Sequence, residues 1–279
     1  MRCFVFGLGY SARVLAARLA GQGWRVDGTG RHGAVAFDDR DSVGAALGTA
    51  THVLSSVPPG RDGRDPVLDA YGAALRDGPP RWIGYLSSTG VYGDCGGAWV
   101  DETAAIGAGR RTARSDADHA WQALGARVFR LPGIYGPGRS AFDRLRDGTA
   151  RRLIAPGQVF SRVHVDDIAG GVIAGMAGPP GVYNLADDEP CDGNTVIEEA
   201  ARLIGVAPPP LVTLEQADLS PMARAFYAEN RRVANGKALR VLGWRPRFAT
   251  YREGLRDCNA TTSPASASSA PAIFSPVQR

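Results

Sequence analysis

The sequence predicts an α/β fold, a doubly wound parallel sheet joined to a smaller C-terminal lobe. Three observations predict it. Strand-like and helix-like stretches alternate through the first two-thirds of the 279 residues. The chain opens on an apolar run, Cys3 to Phe6, that meets Gly7-Leu8-Gly9 and then an amphipathic helix. From Glu189 onward the pattern becomes mostly helical.

The expected strands are Arg2–Phe6, Trp24–Thr29, Ala34–Phe37, Thr51–Ser55, Arg81–Leu86 and Arg127–Arg130. Between them lie expected helices Ser11–Ala20, Asp41–Ala46, Pro66–Leu75 and Thr112–Leu124. In the first helix Ala12, Leu15, Ala16, Leu19 and Ala20 recur with helical period and form one buried face, while Arg13 and Arg18 fall toward solvent. Beyond Pro132 comes a glycine-rich loop, "GIYGPGRS". A helix Ala141–Arg146, a strand Val159–Val165, a helix Asp166–Met176 and a short strand in "VYNLAD" follow. "NTVIEEAARLIG" reads as a helix capped by Asn194 and stopped by Gly205. Residues 1–180 are expected to form the sheet domain, 181–258 a small lobe interleaved with it, and 259–279, rich in Ala, Ser, Thr and Pro, a disordered tail.

Composition narrows the function. Hydrophobic residues make up 44% and charged residues 22%, the balance of a soluble globular chain. Cys3, Cys95, Cys191 and Cys258 are scattered without a C-x-x-C pair, and the four histidines lack ligand spacing. A reduced, cytoplasmic setting without a metal site is expected. No apolar run has the length of a signal peptide or a membrane span. The net charge of +4 comes from dispersed arginines, with no basic block interleaved with aromatics. That suits an anionic small molecule and argues against nucleic acid.

The opening turn carries the clearest chemistry. Gly7 permits a tight strand exit, Gly9 leaves bare backbone where a pyrophosphate must approach, and Ala12 is small enough for close helix–strand packing. The helix N-terminus then offers unpaired N–H groups and partial positive charge. This Rossmann-type turn predicts a dinucleotide against Gly7, Leu8, Gly9, Tyr10, Ser11 and Ala12. The second strand ends "VDGTGRHG", with Gly30 where an NAD site places an acid, and Arg31 next to it. A guanidinium there suits a 2′-phosphate, so NADP is expected ahead of NAD; Arg31 stacked on adenine would keep NAD open. Asp38 or Asp39 accepts from the adenine amino group or else caps a helix.

Taken with that turn, "YLSSTGVYGD", "RLPGIYGPGRS", "VHVDDIA" and "YREGL" resemble the extended short-chain dehydrogenase/reductase family, in its NAD(P)-dependent epimerase/dehydratase branch, over residues 1–258. The resemblance implies an oxidoreductase or epimerase acting by hydride transfer on a small, anionic or sugar-nucleotide-like substrate. It implies Ser88 as the substrate-contacting hydroxyl; a strand-end hydroxyl bonding backbone is the other reading. It further implies cofactor contacts from Ser55, Ser56 and Val57 and from Pro132, Gly133 and Ile134, and pairing of two copies through the helices at Pro66–Leu75 and Thr112–Leu124.

One departure from the family pattern matters. Its Tyr-x-x-x-Lys pair falls on Arg110 and Arg114. Arg114 can still reach the nicotinamide ribose, and Arg110 can contact substrate. A guanidinium stays protonated and cannot act as a general acid/base. Tyr92, Tyr135 and His164 are substitutes by type, although the family uses each as scaffold. The family's phosphate-binding arginine falls on Phe160, with Arg162 two residues on, either as an anion contact or as a surface residue. Tyr227, Asn230 and Arg231 have i, i+3, i+4 spacing and would share a helical face toward substrate or solvent. Asp166 and Asp167 read as helix caps. A catalytically inactive NADP-binding sensor or partner-binding module is the alternative function.

Overall fold

The first strand shows why this sheet has two cores. In the computed structural model, which describes residues 1–79, 82–107 and 112–262, strand β1 (Arg2–Phe6) alternates strictly. Cys3 and Val5 enter one apolar cluster, Phe4 and Phe6 the other. Helices on both faces bury such a strand completely, the signature of a parallel sheet. The chain continues through α1 (Tyr10–Gly21), β2 (Arg25–Gly28), α2 (Arg40–Thr49), β3 (His52–Ser55), α3 (Pro66–Asp77) and β4 (Trp82–Ser88). A 3₁₀ turn (Thr89–Tyr92), β5 (Trp99–Val100), α4 (Thr112–Ala123), β6 (Arg127–Leu131) and β7 (Gly133–Tyr135) follow. Next come α5 (Ala141–Arg146), β8 (Arg152–Leu153), β9 (Arg162–His164), α6 (Val165–Ala177) and β10 (Gly181–Asn184). The last part comprises α7 (Gly193–Leu203), β11 (Leu211–Val212), α8 (Pro221–Phe226), β12 (Arg232–Val233), α9 (Gly236–Leu242) and α10 (Tyr251–Thr262).

Six strands form one parallel sheet in the order β10-β6-β4-β3-β1-β2. Strand order reverses between β1 and β3, which opens a crevice at their C-terminal ends. On one face α1 supplies Ala12, Leu15 and Leu19 and α6 supplies Ile168, Ala169 and Val172. On the other, Val43 and Leu47 of α2, Val67, Tyr71 and Leu75 of α3, and Ala117 and Trp121 of α4 pack together. A separate cluster in the C-terminal lobe joins Phe142 of α5, Val196 and Ala200 of α7, and Tyr251 and Leu255 of α10.

Several expectations need correction. Ala34–Phe37 is not a strand; only Val35 bridges, to Thr29. Phe37 instead turns in to pack edge-on against Phe6 and Tyr71, which draws this segment off the sheet edge. The strand expected over Val159–Val165 is confined to Arg162–His164. Asn194 does not cap α7. Asp192 does, accepting from Thr195 N at 2.9 Å, while the Asn194 amide spans both backbone groups of Leu153. The cap of α6 is His164 rather than an aspartate; buried Asp167 accepts from Arg247 N and Phe248 N and tethers that loop. Within the segment 181–258, expected as a lobe interleaved with the sheet domain, β10 (Gly181–Asn184) forms the edge strand of the sheet. The segment 259–279 is helical through Thr262, and residues 263–279 lie outside the described residues.

A buried polar network holds the ends of β4, β6 and β10 in register. Arg130 of β6 donates to both oxygens of Asp118 on α4, at 2.8 and 3.1 Å. Ser87 donates to Asp118 at 2.6 Å, and Arg130 also donates to the Tyr92 hydroxyl at 3.0 Å. Tyr92 in turn donates to Asn184 at 2.8 Å, whose backbone N–H donates to Glu102. Arg130 and Asp118 are both buried, so removing one leaves an uncompensated charge. Asp118→Ala is expected to lower the free energy of unfolding by about 3–5 kcal/mol; denaturant titration monitored by circular dichroism measures it.

Candidate functional site

The glycine turn is built as a close approach. Gly7 has φ of +83°, and a Cβ there would lie 2.9 Å from Val57 Cγ2. Both facts demand glycine. Gly7 N donates to the Thr29 hydroxyl, and Ser56 donates back to Gly7 O. Gly9 differs. Its φ of −86° and ψ of −163° suit any residue, and a Cβ would meet nothing nearer than Gly7 O at 4.0 Å. Neither conformation nor packing of the chain itself requires glycine there. Helix α1 then begins without a side-chain cap, so its first N–H groups point out of the turn.

Those groups face a cleft of about 520 Å³ at the C-terminal edge of the sheet. Gly9, Tyr10, Ser11, Ser56 and Pro58 line one end. Ser87 through Gly90 leave β4 along the floor, and Leu131 through Ile134 leave β6 beside them. Arg114 enters from the first turn of α4. The C-terminal lobe closes the other end with Val159, Phe160, Ser161, Phe226, Glu229 and Arg231. The structure therefore brings Gly9, Tyr10, Ser11, Ser56, Ser88, Arg114, Pro132, Gly133, Ile134 and Arg231 to one cleft. Gly7, Leu8, Ala12, Ser55 and Val57 form the framework behind the turn; Ala12 is buried and Ser55 ends β3. Ser88 lies on the cleft, and its oxygen accepts from Gly90 N at 3.1 Å. That bond orients the hydroxyl so that its hydrogen can donate into the cleft.

Other expected residues lie elsewhere. Tyr92 is 2% exposed, locked between Arg130 and Asn184, and does not line the cleft. Arg162 lines a second chamber, neither a surface residue nor an open anion contact. Its NH1 donates to Phe160 O and Cys191 O, and its NH2 to Asp192 O, so the guanidinium braces three backbone carbonyls. Tyr227, Asn230 and Arg231 share no helical face, because α8 ends at Phe226. Tyr227 lines the second chamber. Arg231 is held at the cleft by Gly93 O and Glu229, and Asn230 clasps the loop at Asp94 and Gly157. Asp39 caps α2 through Ser42 N, and Asp38 sits exposed in the preceding turn. Arg31 is exposed in the turn after β2. Arg110 lies outside the described residues. The pairing missed in the sequence is Arg13 with His32, 3.4 Å apart beside Arg31. Arg13 fell off the apolar stripe of α1 and carried no other signal.

No tyrosine of the cleft region is tuned toward neutrality. Burial pushes the Tyr10 phenol up to about 12, and its hydroxyl is spent on Pro137 O. Burial also raises Tyr92 and Tyr135. His164 is packed between Tyr135 and Phe248, and burial lowers its pKa. The group carried into the neutral range most strongly is Asp187, pushed up to about 8 by burial, and it does not line the cleft. Among the described residues no cluster of His, Cys, Asp or Glu could hold a metal ion. No helix among them is long and apolar enough to cross a membrane.

This sheet order, glycine turn and lobe are those of the extended short-chain dehydrogenase/reductase fold. The human epimerase family protein SDR39U1, crystallised with NADPH, superposes with a TM-score of 0.72 at 17% identity, covering 93% of this chain and 99% of that one. A functionally unknown conserved protein from Silicibacter pomeroyi is 47% identical, with a TM-score of 0.82 over 93% of this chain and 98% of that chain. The chain belongs to one family with that Silicibacter pomeroyi protein. The 3-diazoavenalumate denitrifying reductase of a Streptomyces species is 34% identical over 147 residues, 47% of this chain and 46% of that protein. The match thus spans about half the length of this curated relative. No protein-family model matches the chain.

A pH prediction follows from Asp187. Its carboxyl holds a proton in the folded state up to about pH 8, whereas an unfolded aspartate loses it near its ordinary value of about 3.9. The folded state binds more protons in this window, so this group makes stability fall as pH rises from about 4 to 8. Asp187→Asn removes that term. Its melting temperature relative to wild type is expected to rise between pH 5 and pH 8, read by thermal melts at both; a difference independent of pH would contradict it.

Proposed function

We propose that this chain binds NADP(H) in the cleft and is an oxidoreductase that exchanges hydride with a small substrate held against Ser88. The single observation behind this reading is Gly9. Its backbone tolerates any residue and its missing side chain opens onto the cleft, at the mouth of a helix with no side-chain cap. A bulky anion lying on the turn gives that glycine a purpose, and the N–H groups of α1 supply donors for a pyrophosphate. Ser11 and Ser56 add hydroxyls on the same wall. The occurrence of NADPH in the human structure of the same fold, and a reductase as partial relative, support the assignment.

The coenzyme, when bound, supplies or accepts the hydride. The chain's own residues do the rest. Arg31, with Arg13 and His32 beside it, lies at the end of β2, where a 2′-phosphate would be neutralised. Pro132, Gly133 and Ile134 form the wall for the nicotinamide, and Arg114 approaches the ribose. Ser88, whose oxygen accepts from Gly90 N, keeps its hydroxyl hydrogen for the reacting atom. The family's proton-transferring tyrosine has no counterpart in the sequence, and such help is worth ~10²–10⁴ in rate. Substrates that need little proton transfer are favoured.

Calorimetric titration with NADPH and NADH tests the binding part. NADPH is expected to bind more tightly, and Arg31→Ala is expected to cost NADPH about tenfold while leaving NADH unchanged, the loss of one exposed charge-assisted contact. Equal affinities, or tighter NADH, would contradict the NADP assignment. For the reaction, Ser88→Ala is expected to lower single-turnover hydride transfer on carbonyl substrates about 10²-fold with coenzyme affinity unchanged. Tight coenzyme binding without turnover on any carbonyl, imine or diazo compound would favour a sensor instead.

A further inference from the structure

Beside the cleft lies a second chamber of about 460 Å³, joined to it through Gly133, Ile134, Arg139, Phe160, Ser161 and Phe226. Its shared wall is aromatic. Phe160 and Phe226 stack with ring centroids 4.9 Å apart and planes 7° from parallel, and Tyr227 stands edge-on to Phe160 at 5.4 Å. Phe226 is 54% exposed, unusual for a phenylalanine already in a stacked pair, and it borders both chambers. The exposed face and edges of such a pair favour a flat apolar body packed beside them.

The charges of the chamber are uneven in availability. Arg162 is occupied by the carbonyls of Phe160, Cys191 and Asp192, and Arg151 donates to Gly148 O and Ala150 O. Arg139 lies over the Tyr10 ring at 5.7 Å. Arg144, on α5, has no hydrogen bond or ion pair from its guanidinium among the described residues. Asp143 and Asp147 line the same chamber, so its cations are partly offset. Away from the wall shared with the cleft, where Arg139 lies over Tyr10, a diphosphate would meet one guanidinium without a hydrogen bond or ion pair, that of Arg144, and two carboxylates. A single carboxylate matches one guanidinium fork.

We infer that the second chamber is the substrate's recognition pocket and takes a planar aromatic carboxylic acid, its ring against Phe160 and Phe226 and its carboxylate on Arg144, in preference to a sugar nucleotide. This rests on the hydride-transfer reading, because it presumes that the far end of the same molecule reaches Ser88 through the shared wall. It turns a general expectation of an anionic substrate into a size, a shape and a charge.

The test is calorimetric titration of the full-length protein with cinnamate and, separately, with UDP-glucose, each with and without saturating NADPH. Cinnamate is expected to bind at least tenfold more tightly than UDP-glucose. Arg144→Gln and Phe226→Ala, both at exposed positions, are each expected to weaken cinnamate about tenfold with the thermal melt unchanged. Tighter binding of UDP-glucose, no binding of cinnamate, or cinnamate binding indifferent to both variants would overturn the inference. NADPH titrated alone is scored apart: cinnamate bound as expected by a protein that does not take NADPH would leave the pocket assigned and remove the hydride-transfer reading.

Discussion

The left-handed backbone at Gly7 is the constraint on which the cleft depends. It turns the chain out of β1 within contact distance of Val57, so the exits of β1 and β3 lie side by side. That closeness puts Ser56 on Gly7 O, aims α1 into the crevice where strand order reverses, and sets one end of the cleft. A side chain at Gly7 would strain the backbone and collide with β3's exit at once. Gly9, two residues on, carries no such structural demand, and the contrast between these glycines separates the requirement of the fold from that of a ligand.

The opposite wall is fixed by different physics. Arg130 and Asp118 are buried together and draw in Ser87, Tyr92 and Asn184. The network lies under Ser88 and the Leu131–Ile134 exit, so the floor of the cleft rests on ionic bonds rather than on apolar packing alone. A buried pair of this kind contributes little net stability against an apolar substitute, yet it is costly to break and specifies one arrangement of the strands it joins.

Much of this was legible in the sequence because it depends on local pattern. The alternation in Arg2–Phe6, the helical stripe of α1 and the Gly7/Gly9 spacing each follow from backbone periodicity or conformational need. What was not legible depends on tertiary partners. Phe37 has the composition of a strand residue but is captured by Tyr71. Asn194 looks like a cap until Leu153 claims its amide. Arg162 and Tyr92 carry functional groups suited to a substrate, and the fold spends both on internal bonds. The i, i+4 spacing of Tyr227 and Arg231 implied one helix face, which the end of α8 at Phe226 removes. The stacking of Phe226 on Phe160, far apart in sequence, has no local signature at all.

The most direct test of the central claim is a crystal structure of the full-length protein with NADPH. The account predicts density for the pyrophosphate within hydrogen-bonding distance of the N–H groups at the start of α1, above the Cα of Gly9, with the nicotinamide between Pro132–Ile134 and Ser88. Coenzyme density anywhere else on the molecule, or a cleft that stays empty at saturating NADPH, would contradict it.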